Sequence, residues 1–386
     1  MPTPFEINPT LCFALLGTFT IYQWTRPGRS ALWAVLVLAL VLRAACIWEM
    51  RGLGAYYGVR WISYGAFLGI ASLIVLAVQM VRSREPERKF LRQTFYAASV
   101  FPLCGLLIGY TIPLTIWLRP KTYDGLLLAF DGGLGFQPSF VLGKLLLRHA
   151  TAWGLTTVIY YAMPFAISIL YAAYRRQTHR PVAFLQLFFS LMVLGSFQYG
   201  IFPAVGPRYA FQQSYPANPP NLAQIAIKPM SVPDAPRNCV PSLHLAAALA
   251  VWWNSRIWPR WGRSLVFLFL VATAFSTLAL GEHYLADLVV AFPFTLLFQA
   301  AWTRSAQCAR RNAIAWGAGL TVAWLVFLHY CLFIFLLTPV ISWGLILLTG
   351  TASVWLEENL SIAVKRTGDI RGPKGITELE GTIVME

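Results

Sequence analysis

Two short polar stretches carry the residues whose types and spacing could do chemistry. The first, 239–244, ends in His244, and the second, 281–287, contains His283 and Asp287. Each stretch stands at the beginning of a long apolar segment, where ionisable side chains are scarce. Ionisable residues beside membrane-like segments commonly mark a functional site. We therefore expect the two stretches to form one site.

His283 and Asp287 are four residues apart. If a helix begins near His283, both side chains lie on one face, where the carboxylate can orient the imidazole. An aspartate that accepts a hydrogen bond from one ring nitrogen leaves the lone pair of the other nitrogen available. This spacing predicts that His283 is an activated nucleophile.

His244 follows Pro241 and Ser242, a sequence suited to the start of a helix. A second imidazole facing the first can protonate a leaving oxygen as a general acid. The free N–H groups of that helix start, together with the Ser242 hydroxyl, can bind phosphate oxygens. The residue types therefore favour chemistry on an anionic phosphoester.

Two arginines precede this helix, Arg208 and Arg237. Either guanidinium could hold a phosphate through two parallel hydrogen bonds and stabilise the charge of the transition state. We prefer Arg208, because it closely follows an apolar segment and because Gly206 and Pro207 can fix its direction. Arg237 could equally bind lipid headgroups.

A metal site is the alternative use of two histidines and an aspartate. We disfavour it, because no further carboxylate or cysteine completes a ligand shell in the sequence pattern. The cysteines are scattered without a CxxC pair, which predicts buried apolar fillers. No metal and no cofactor are expected. The six cysteines are Cys12, Cys46, Cys104, Cys239, Cys308 and Cys331.

The composition describes the elements that must position these residues. The 386-residue chain is 58% hydrophobic and 12% charged, and its mean hydropathy is +0.61. Apolar runs of about twenty residues recur throughout, which predicts an all-α, polytopic integral membrane protein. The net charge of +15 comes from short basic clusters between these runs, without a nucleic-acid-binding motif, so nucleic acid is not expected as a partner.

About eleven spans are predicted. Because basic residues cluster in alternate loops, those loops are assigned to the cytoplasm. The loops that carry the two histidines then face the extracytoplasmic side, and the C-terminus is cytoplasmic. We expect no cleavable signal peptide, so the first segment is retained. The segments lie near 10–24, 31–49, 60–81, 93–118, 152–174, 182–202, 241–255, 264–281, 284–303, 313–337 and 338–356.

Three connecting segments have distinct compositions. The semi-polar segment 119–149 predicts one or two short helices in the outer interface. The loop 203–241 contains nine prolines, which predicts a lid or binding loop. The polar tail 357–386 is expected to be flexible.

Three residues near these segments are weaker candidates. Asp124 and Asp131 are seven residues apart on one face of the predicted interfacial helix. Interface packing and helix capping are one interpretation of both aspartates, and contact with a lipid headgroup is the other. Tyr284 has the same two interpretations.

The two motifs also resemble those of a known family. The sequence Pro241-Ser242-Leu243-His244 resembles the PSxH motif of the type 2 phosphatidic acid phosphatase (PAP2) superfamily, and Ser276-x6-His283-x3-Asp287 resembles its third motif. Within that superfamily, His-Tyr-x-x-Asp at 283–287 is most similar to the branch of the inositol phosphorylceramide synthases and other inositolphosphotransferases.

The resemblance implies an architecture and a set of roles. A PAP2-like six-helix core would occupy 90–306, with three helices added in 1–89 and a helical hairpin in 307–356. It implies that His283 forms a phosphohistidine, that Asp287 orients it, that His244 is the general acid and later the base, and that Ser242 is a phosphate ligand.

Two positions depart from the superfamily pattern. Ile201 stands where the lysine of the first motif would be, and Thr277 replaces the arginine that usually follows Ser276. The loss of these cations is typical of the phosphotransferase branch. The expected activity is therefore cleavage of a membrane lipid phosphoester, a lipid phosphate or a phospholipid, at the extracytoplasmic face.

The sequence leaves the acceptor and the function class open. Water would make the protein a phosphatase, and a lipid alcohol would make it a phosphotransferase of a headgroup such as phosphoinositol. The alternative class is a transporter or lipid-binding scaffold whose His-Asp cluster relays protons or binds headgroups. That class predicts paired ionisable residues near the middle of spans, whereas this chain places them at the ends. The sequence does not predict an oligomeric state.

Overall fold

The computed structural model describes residues 9–50, 60–177, 180–221, 228–304, 306–332 and 338–370. The chain is 77% helical. In the described residues the strands are β1 (Lys121–Thr122) and β2 (Met230–Ser231), which form a two-residue antiparallel pair. The prediction of an all-α protein is confirmed.

A helix occupies each of the eleven predicted apolar segments. Further short helices lie in the two connecting segments at 119–149 and 203–241. In chain order the described α-helices are α1 (Pro9–Gln23), α2 (Arg29–Met50), α3 (Arg60–Arg82), α4 (Glu87–Leu118), α5 (Asp124–Gly133), α6 (Pro138–Leu147), α7 (Ala150–Tyr161), α8 (Met163–Tyr174), α9 (Phe184–Gln198), α10 (Pro207–Ala210), α11 (Leu243–Asn254), α12 (Arg260–Ala279), α13 (Leu285–Ala301), α14 (Gln307–Tyr330) and α15 (Pro339–Ile370).

Several of these helices are suited to a membrane. Among the described residues, six helices are long and apolar enough to cross one alone, namely α2, α3, α4, α12, α14 and α15. The number rises to eight if each of two bent pairs, α5–α6 at 90° and α7–α8 at 50°, is one span. Several apolar helices of this kind fit an integral multi-pass membrane protein. The figure of eleven spans stays a prediction.

The two helices that begin at the motif stretches lie at the centre of the bundle. Helices α11 and α13 have 12 and 17 residues, most of them buried. A helix that is apolar all round is expected to be surrounded by other helices. Gly317 of α14 permits one close approach, because a Cβ there would lie 2.7 Å from the backbone nitrogen of Leu297 in α13.

The segment 119–149 forms two short helices, as predicted, and both pack against other helices of the bundle. Helix α5 packs against α13 and α14, and α6 packs against α12. Asp124 and Asp131 are both buried, at 0% and 1% exposure. The segment is therefore an integral part of the fold around the motif stretches.

The polar stretch that begins at residue 357 is helical as far as the structure describes it. Helix α15 continues to Ile370, which corrects the prediction of a flexible tail for 357–370. Glu357 is buried because Arg256 neutralises it through two hydrogen bonds, of 2.6 Å to Oε1 and 2.5 Å to Oε2. The remainder of the predicted tail, 371–386, lies outside the described residues.

Candidate active site

The start of α11 is fixed by Ser242, which is its N-cap residue. The Ser242 hydroxyl accepts a hydrogen bond of 3.4 Å from the backbone nitrogen of Leu245, and its own N–H donates to the carbonyl of Asp287 at 3.2 Å. A hydroxyl that accepts one bond keeps its proton as a donor. Ser242 thus caps α11 and ties it to α13, and the proton of its hydroxyl can still be offered to a phosphate oxygen.

His283 lies in the tight connection between α12 and α13, with 1% of its surface exposed. The Ser139 hydroxyl of α6 donates to the His283 carbonyl at 2.7 Å. Ring nitrogen Nδ1 lies 3.0 Å from the carbonyl oxygen of Cys239 and 3.4 Å from Oδ2 of Asp287. Two acceptors at Nδ1 place the ring proton there and leave the lone pair on Nε2.

Nε2 of His283 is the unusual atom of this site. It is buried and has no hydrogen-bond partner among the described residues. Buried polar atoms are normally satisfied, so an unpaired one requires an explanation. A buried lone pair without a partner is the state expected of a nucleophile before substrate arrives.

The two histidines meet, as the spacing of the motifs predicted. The ring centroids of His244 and His283 lie 6.4 Å apart, with the rings inclined at 63°. On its other side, the His244 ring stacks on Tyr160 of α7, with centroids 3.8 Å apart and an interplanar angle of 22°. Tyr160, which the sequence analysis missed, therefore fixes the orientation of the candidate general acid.

Asp287 is fully buried in the first turn of α13, where it has two partners besides His283. Its Oδ2 accepts a hydrogen bond of 2.8 Å from the backbone nitrogen of Tyr284, which caps the helix. The Cys239 thiol donates to the same oxygen at 2.7 Å. Burial and the Asp287 carboxylate raise the pKa of this thiol. Cys239 is buried as predicted, but it is a polar partner of the site rather than an apolar filler.

Glu282, which no sequence motif singles out, is the direct partner of Arg208. Arg208 is about half exposed, and its Nη1 lies 3.7 Å from Oε1 of Glu282. The Tyr209 hydroxyl donates to that oxygen at 3.1 Å. Burial raises the pKa of the Glu282 carboxyl, although His283 and Arg208 partly offset the effect. The candidate phosphate ligand is therefore already paired with a carboxyl group.

The backbone around Gly206 brings Arg208 to this position. Gly206 has φ = +90°, and a Cβ there would lie 2.4 Å from the Glu282 carbonyl oxygen. Only glycine fits both the conformation and the close approach. The N–H of Arg208 then donates to the Gly281 carbonyl at 3.0 Å. The loop that carries Arg208 and the connection that carries His283 are thus in direct backbone contact.

Asp124 holds the same two loops together. Its Oδ1 accepts hydrogen bonds from the backbone nitrogens of Val205 at 3.1 Å and Gly206 at 3.0 Å, and from the Tyr284 hydroxyl at 3.0 Å. Asp131 accepts from the backbone nitrogen of Leu285 at 3.2 Å, at the start of α13. These contacts favour the packing and capping interpretation of both aspartates and of Tyr284, because side chains exposed by 1% or less cannot reach a lipid headgroup.

Arg237 is not available to a phosphate. Its side chain is 1% exposed, and its guanidinium donates to four backbone carbonyls, which saturates most of its N–H groups. The acceptors are Arg119 at 3.2 Å, Pro120 at 3.0 Å, Val232 at 2.6 Å and Ala235 at 2.5 Å. This corrects the prediction that Arg237 binds phosphate or headgroups. Its bonds instead join the segment 232–237 to the backbone of Arg119 and Pro120.

A cavity of about 430 Å³ opens beside Arg208. Its walls combine aromatic rings with the Arg208 guanidinium and the Gln212 amide. The cavity gives Arg208 a side open to a ligand, whereas Arg237 has none. It is lined by Leu147, Trp153, Arg208, Tyr209, Gln212, Tyr215 and Pro216.

The side chains of Cys239, His283 and Asp287 together offer a sulfur, a nitrogen and an oxygen atom as possible ligands for a metal. Donor atoms of Cys239, His283 and Asp287 lie within 4.8 Å of one another, and all three residues are buried. The sequence pattern disfavours a metal because no further carboxylate or cysteine completes a ligand shell. The fold, however, brings Cys239 to the site from the loop before α11.

Comparison with known proteins gives one match. A sequence model of the PAP2 superfamily matches residues 125–301, just under half of the chain. The matched range begins in α5 and ends with α13, and it contains both histidines and Asp287. The match supports a phosphatase-like enzyme acting on lipid phosphoesters. No curated protein and no solved structure matches the chain.

Proposed function

We propose that the protein is a membrane phosphotransferase that cleaves a lipid phosphodiester through a phosphohistidine on His283. The observation that carries this proposal is the buried, unpartnered Nε2 of His283 beside the His244 ring. The superfamily match supports the same class of chemistry. An orienting carboxylate and a second imidazole complete the set that nucleophilic catalysis needs.

In the first half-reaction, Nε2 of His283 attacks phosphorus and the bond to the leaving oxygen breaks. His244, in the protonated form that the bound anionic phosphate favours, gives its proton to that oxygen, so a neutral alcohol departs. The His283 ring, bonded to phosphorus at Nε2 and to hydrogen at Nδ1, becomes cationic. Asp287 and the Cys239 carbonyl stabilise this cation through the Nδ1 proton.

In the second half-reaction, His244 accepts the proton of the acceptor hydroxyl. The acceptor oxygen bonds to phosphorus, the bond from phosphorus to Nε2 breaks, and both imidazoles return to their initial states. Arg208 stabilises the charge on the phosphoryl oxygens in both steps. Ser242 offers its hydroxyl proton to the same oxygens.

The charge of the site supports a diester rather than a monoester. A phosphate monoester carries about 1.5 to 2 negative charges at neutral pH, and a diester carries one. Ile201 and Thr277 replace two cations of the superfamily pattern, and Arg208 is paired with Glu282. A site with a single, partly neutralised guanidinium is poorly suited to a dianion.

The burial of the site supports an alcohol acceptor over water. His283 and Asp287 are almost inaccessible, and Arg208 and Tyr209 contact Glu282, which precedes His283 in the chain. A site that excludes water protects a phosphohistidine from hydrolysis until another acceptor binds. We place this site on the extracytoplasmic face, opposite the basic loops, as the alternation of charge favours.

Assay of the purified protein in lipid vesicles tests the proposal. Phosphodiester lipids with a labelled headgroup are supplied together with a lipid alcohol, and both headgroup transfer and phosphate release are measured. We expect the native protein to transfer the headgroup and to yield a labelled histidine after acid-free digestion. In His283→Ala we expect neither the transfer nor the labelled histidine. His149→Ala, which changes an exposed histidine outside the site, is the matched control. Full turnover by His283→Ala would refute the covalent mechanism.

A further inference from the structure

We infer that Cys239, His283 and Asp287 form a binding site for a zinc ion, and that the bound ion switches the proposed enzyme off. The site itself stands on geometry. Its effect on turnover rests on the proposed role of His283 as nucleophile.

The three donors converge from separate segments. Cys239 comes from the loop before α11, His283 from the connection after α12, and Asp287 from the first turn of α13. Nδ1 of His283 lies 3.4 Å from Oδ2 of Asp287. In a tetrahedral zinc site, bonds of about 2.0 to 2.3 Å separate neighbouring ligand atoms by about 3.3 to 3.8 Å. The nitrogen and oxygen are already at that separation.

Sγ of Cys239 lies 2.7 Å from Oδ2 of Asp287, closer than two zinc ligands would lie, and 3.3 Å from the carbonyl oxygen of Glu282. Its single proton can be given to either oxygen. Replacing this proton with a larger ion requires Sγ and Oδ2 to separate by less than about 1 Å. Oδ1 of Asp287 is buried without a hydrogen-bond partner among the described residues, so the carboxylate has a second oxygen to offer.

The donor set selects the type of ion. A thiolate, an imidazole and a carboxylate suit zinc, whereas magnesium prefers oxygen ligands and retains much of its water. Water is largely excluded from these three side chains, each of which is exposed by 1% or less. The chemistry therefore points to zinc or a similar borderline metal rather than to magnesium.

Zinc binding at Nδ1 would disable the nucleophile. The thiol proton of Cys239 leaves to solvent as the sulfur binds the ion. The proton of His283 moves from Nδ1 to Nε2 as Nδ1 binds the ion. Nε2 then carries a proton instead of a free lone pair and cannot attack phosphorus.

Calorimetry of the purified, detergent-solubilised protein with zinc chloride tests the site. We expect one tightly bound ion per chain, no binding of magnesium, and affinity weakened on the order of 100-fold in Cys239→Ser. Serine preserves a hydroxyl that can donate to Asp287, so this variant keeps the fold but lacks a thiolate. Cys308→Ser, which removes an exposed thiol, is the matched control. Equal zinc affinity in native protein and Cys239→Ser would overturn the proposal.

Two readouts test the switch. Nitrogen NMR of histidine-labelled protein should show the His283 proton moving from Nδ1 to Nε2 when zinc is added. Zinc should also lower transfer by the native protein at least tenfold, reversibly with chelator. In Cys239→Ser the ratio of the rates with and without zinc should stay near one, whatever the rate of that variant without zinc. Zinc binding without the proton shift would refute the proposed inhibition, but the proposed zinc site would stand. The binding and NMR measurements need no turnover, so they decide the inference even if the proposed reaction is wrong.

Discussion

The backbone carbonyl oxygen of Cys239 lies 3.0 Å from Nδ1 of His283, closer than the 3.4 Å that separates Nδ1 from Asp287. The ring proton therefore has a backbone acceptor as well as the carboxylate. A carbonyl can hold the tautomer but carries no full charge to stabilise an imidazolium. The two acceptors thus have separable effects.

Asp287→Asn is expected to lower turnover by about 10- to 100-fold, which is less than the loss in His283→Ala. Asparagine removes the charge-assisted hydrogen bond, worth about 1.5 to 3 kcal/mol, while the Cys239 carbonyl still places the proton on Nδ1. Rates of headgroup transfer measured for the two variants check this order. Equal inactivity of both, with native thermal stability, would contradict it.

Arg208 and Arg237 should respond differently to loss of charge. Arg208→Gln removes the guanidinium that faces the open cavity, so we expect turnover to fall by about 100-fold with a smaller loss of thermal stability than in Arg237→Gln. Arg237→Gln leaves several buried carbonyls without donors, so we expect a lower unfolding temperature instead. Paired activity and thermal unfolding measurements separate these effects. A stable, inactive Arg237→Gln would restore Arg237 as a phosphate ligand.

The grouping of the candidate catalytic residues was predictable because its members are defined by local spacing. His283 and Asp287 are one helical turn apart, and Ser242 precedes His244 in a recognisable helix start. The even number of predicted spans between the two stretches then places the histidines at the same end of the bundle. Periodicity and polarity were sufficient for these conclusions.

The supporting contacts were not predictable, because they join residues that are distant in the sequence. Cys239 meets Asp287 across 48 positions, and Tyr284 meets Asp124 across 160. Arg237 looked like a phosphate ligand because its charge is visible in the sequence, whereas the carbonyls that surround it are not. A buried polar residue is explained by its partners, and only the fold identifies them.

Asp124→Asn should disturb the site from a distance. An amide presents one oxygen and an NH₂ donor to the backbone N–H groups of Val205 and Gly206. Some of the hydrogen bonds by which Asp124 joins the two loops are therefore lost. We expect a lower kcat and faster proteolysis in the loop 203–241. Tyr284→Phe removes a single hydrogen bond to the same carboxylate, worth about 1 kcal/mol, and should have the milder effect. A larger fall in kcat in Tyr284→Phe than in Asp124→Asn would show that the connection between the two loops depends on the tyrosine rather than on Asp124.

The Glu282 carboxyl should make thermal stability depend on pH. Burial raises its pKa in the folded protein, so folding favours the protonated form. This contribution is fully present below the ordinary carboxyl pKa and is lost as pH rises through the raised folded pKa. Glu282→Gln cannot ionise, so its unfolding temperature should rise relative to that of the native protein as the pH increases above the ordinary carboxyl pKa of about 4.

Arg208→Gln offers the matched test of the sign. Arg208 lowers the Glu282 pKa, so its removal should steepen the loss of stability with rising pH. Scanning fluorimetry of the native protein and both variants in one detergent measures all three curves. A difference between Glu282→Gln and the native protein that shrinks or reverses with rising pH would mean that the ion pair outweighs burial. In that case Arg208 would be held in place by charge, and substrate would have to displace Glu282 before the guanidinium could bind phosphate.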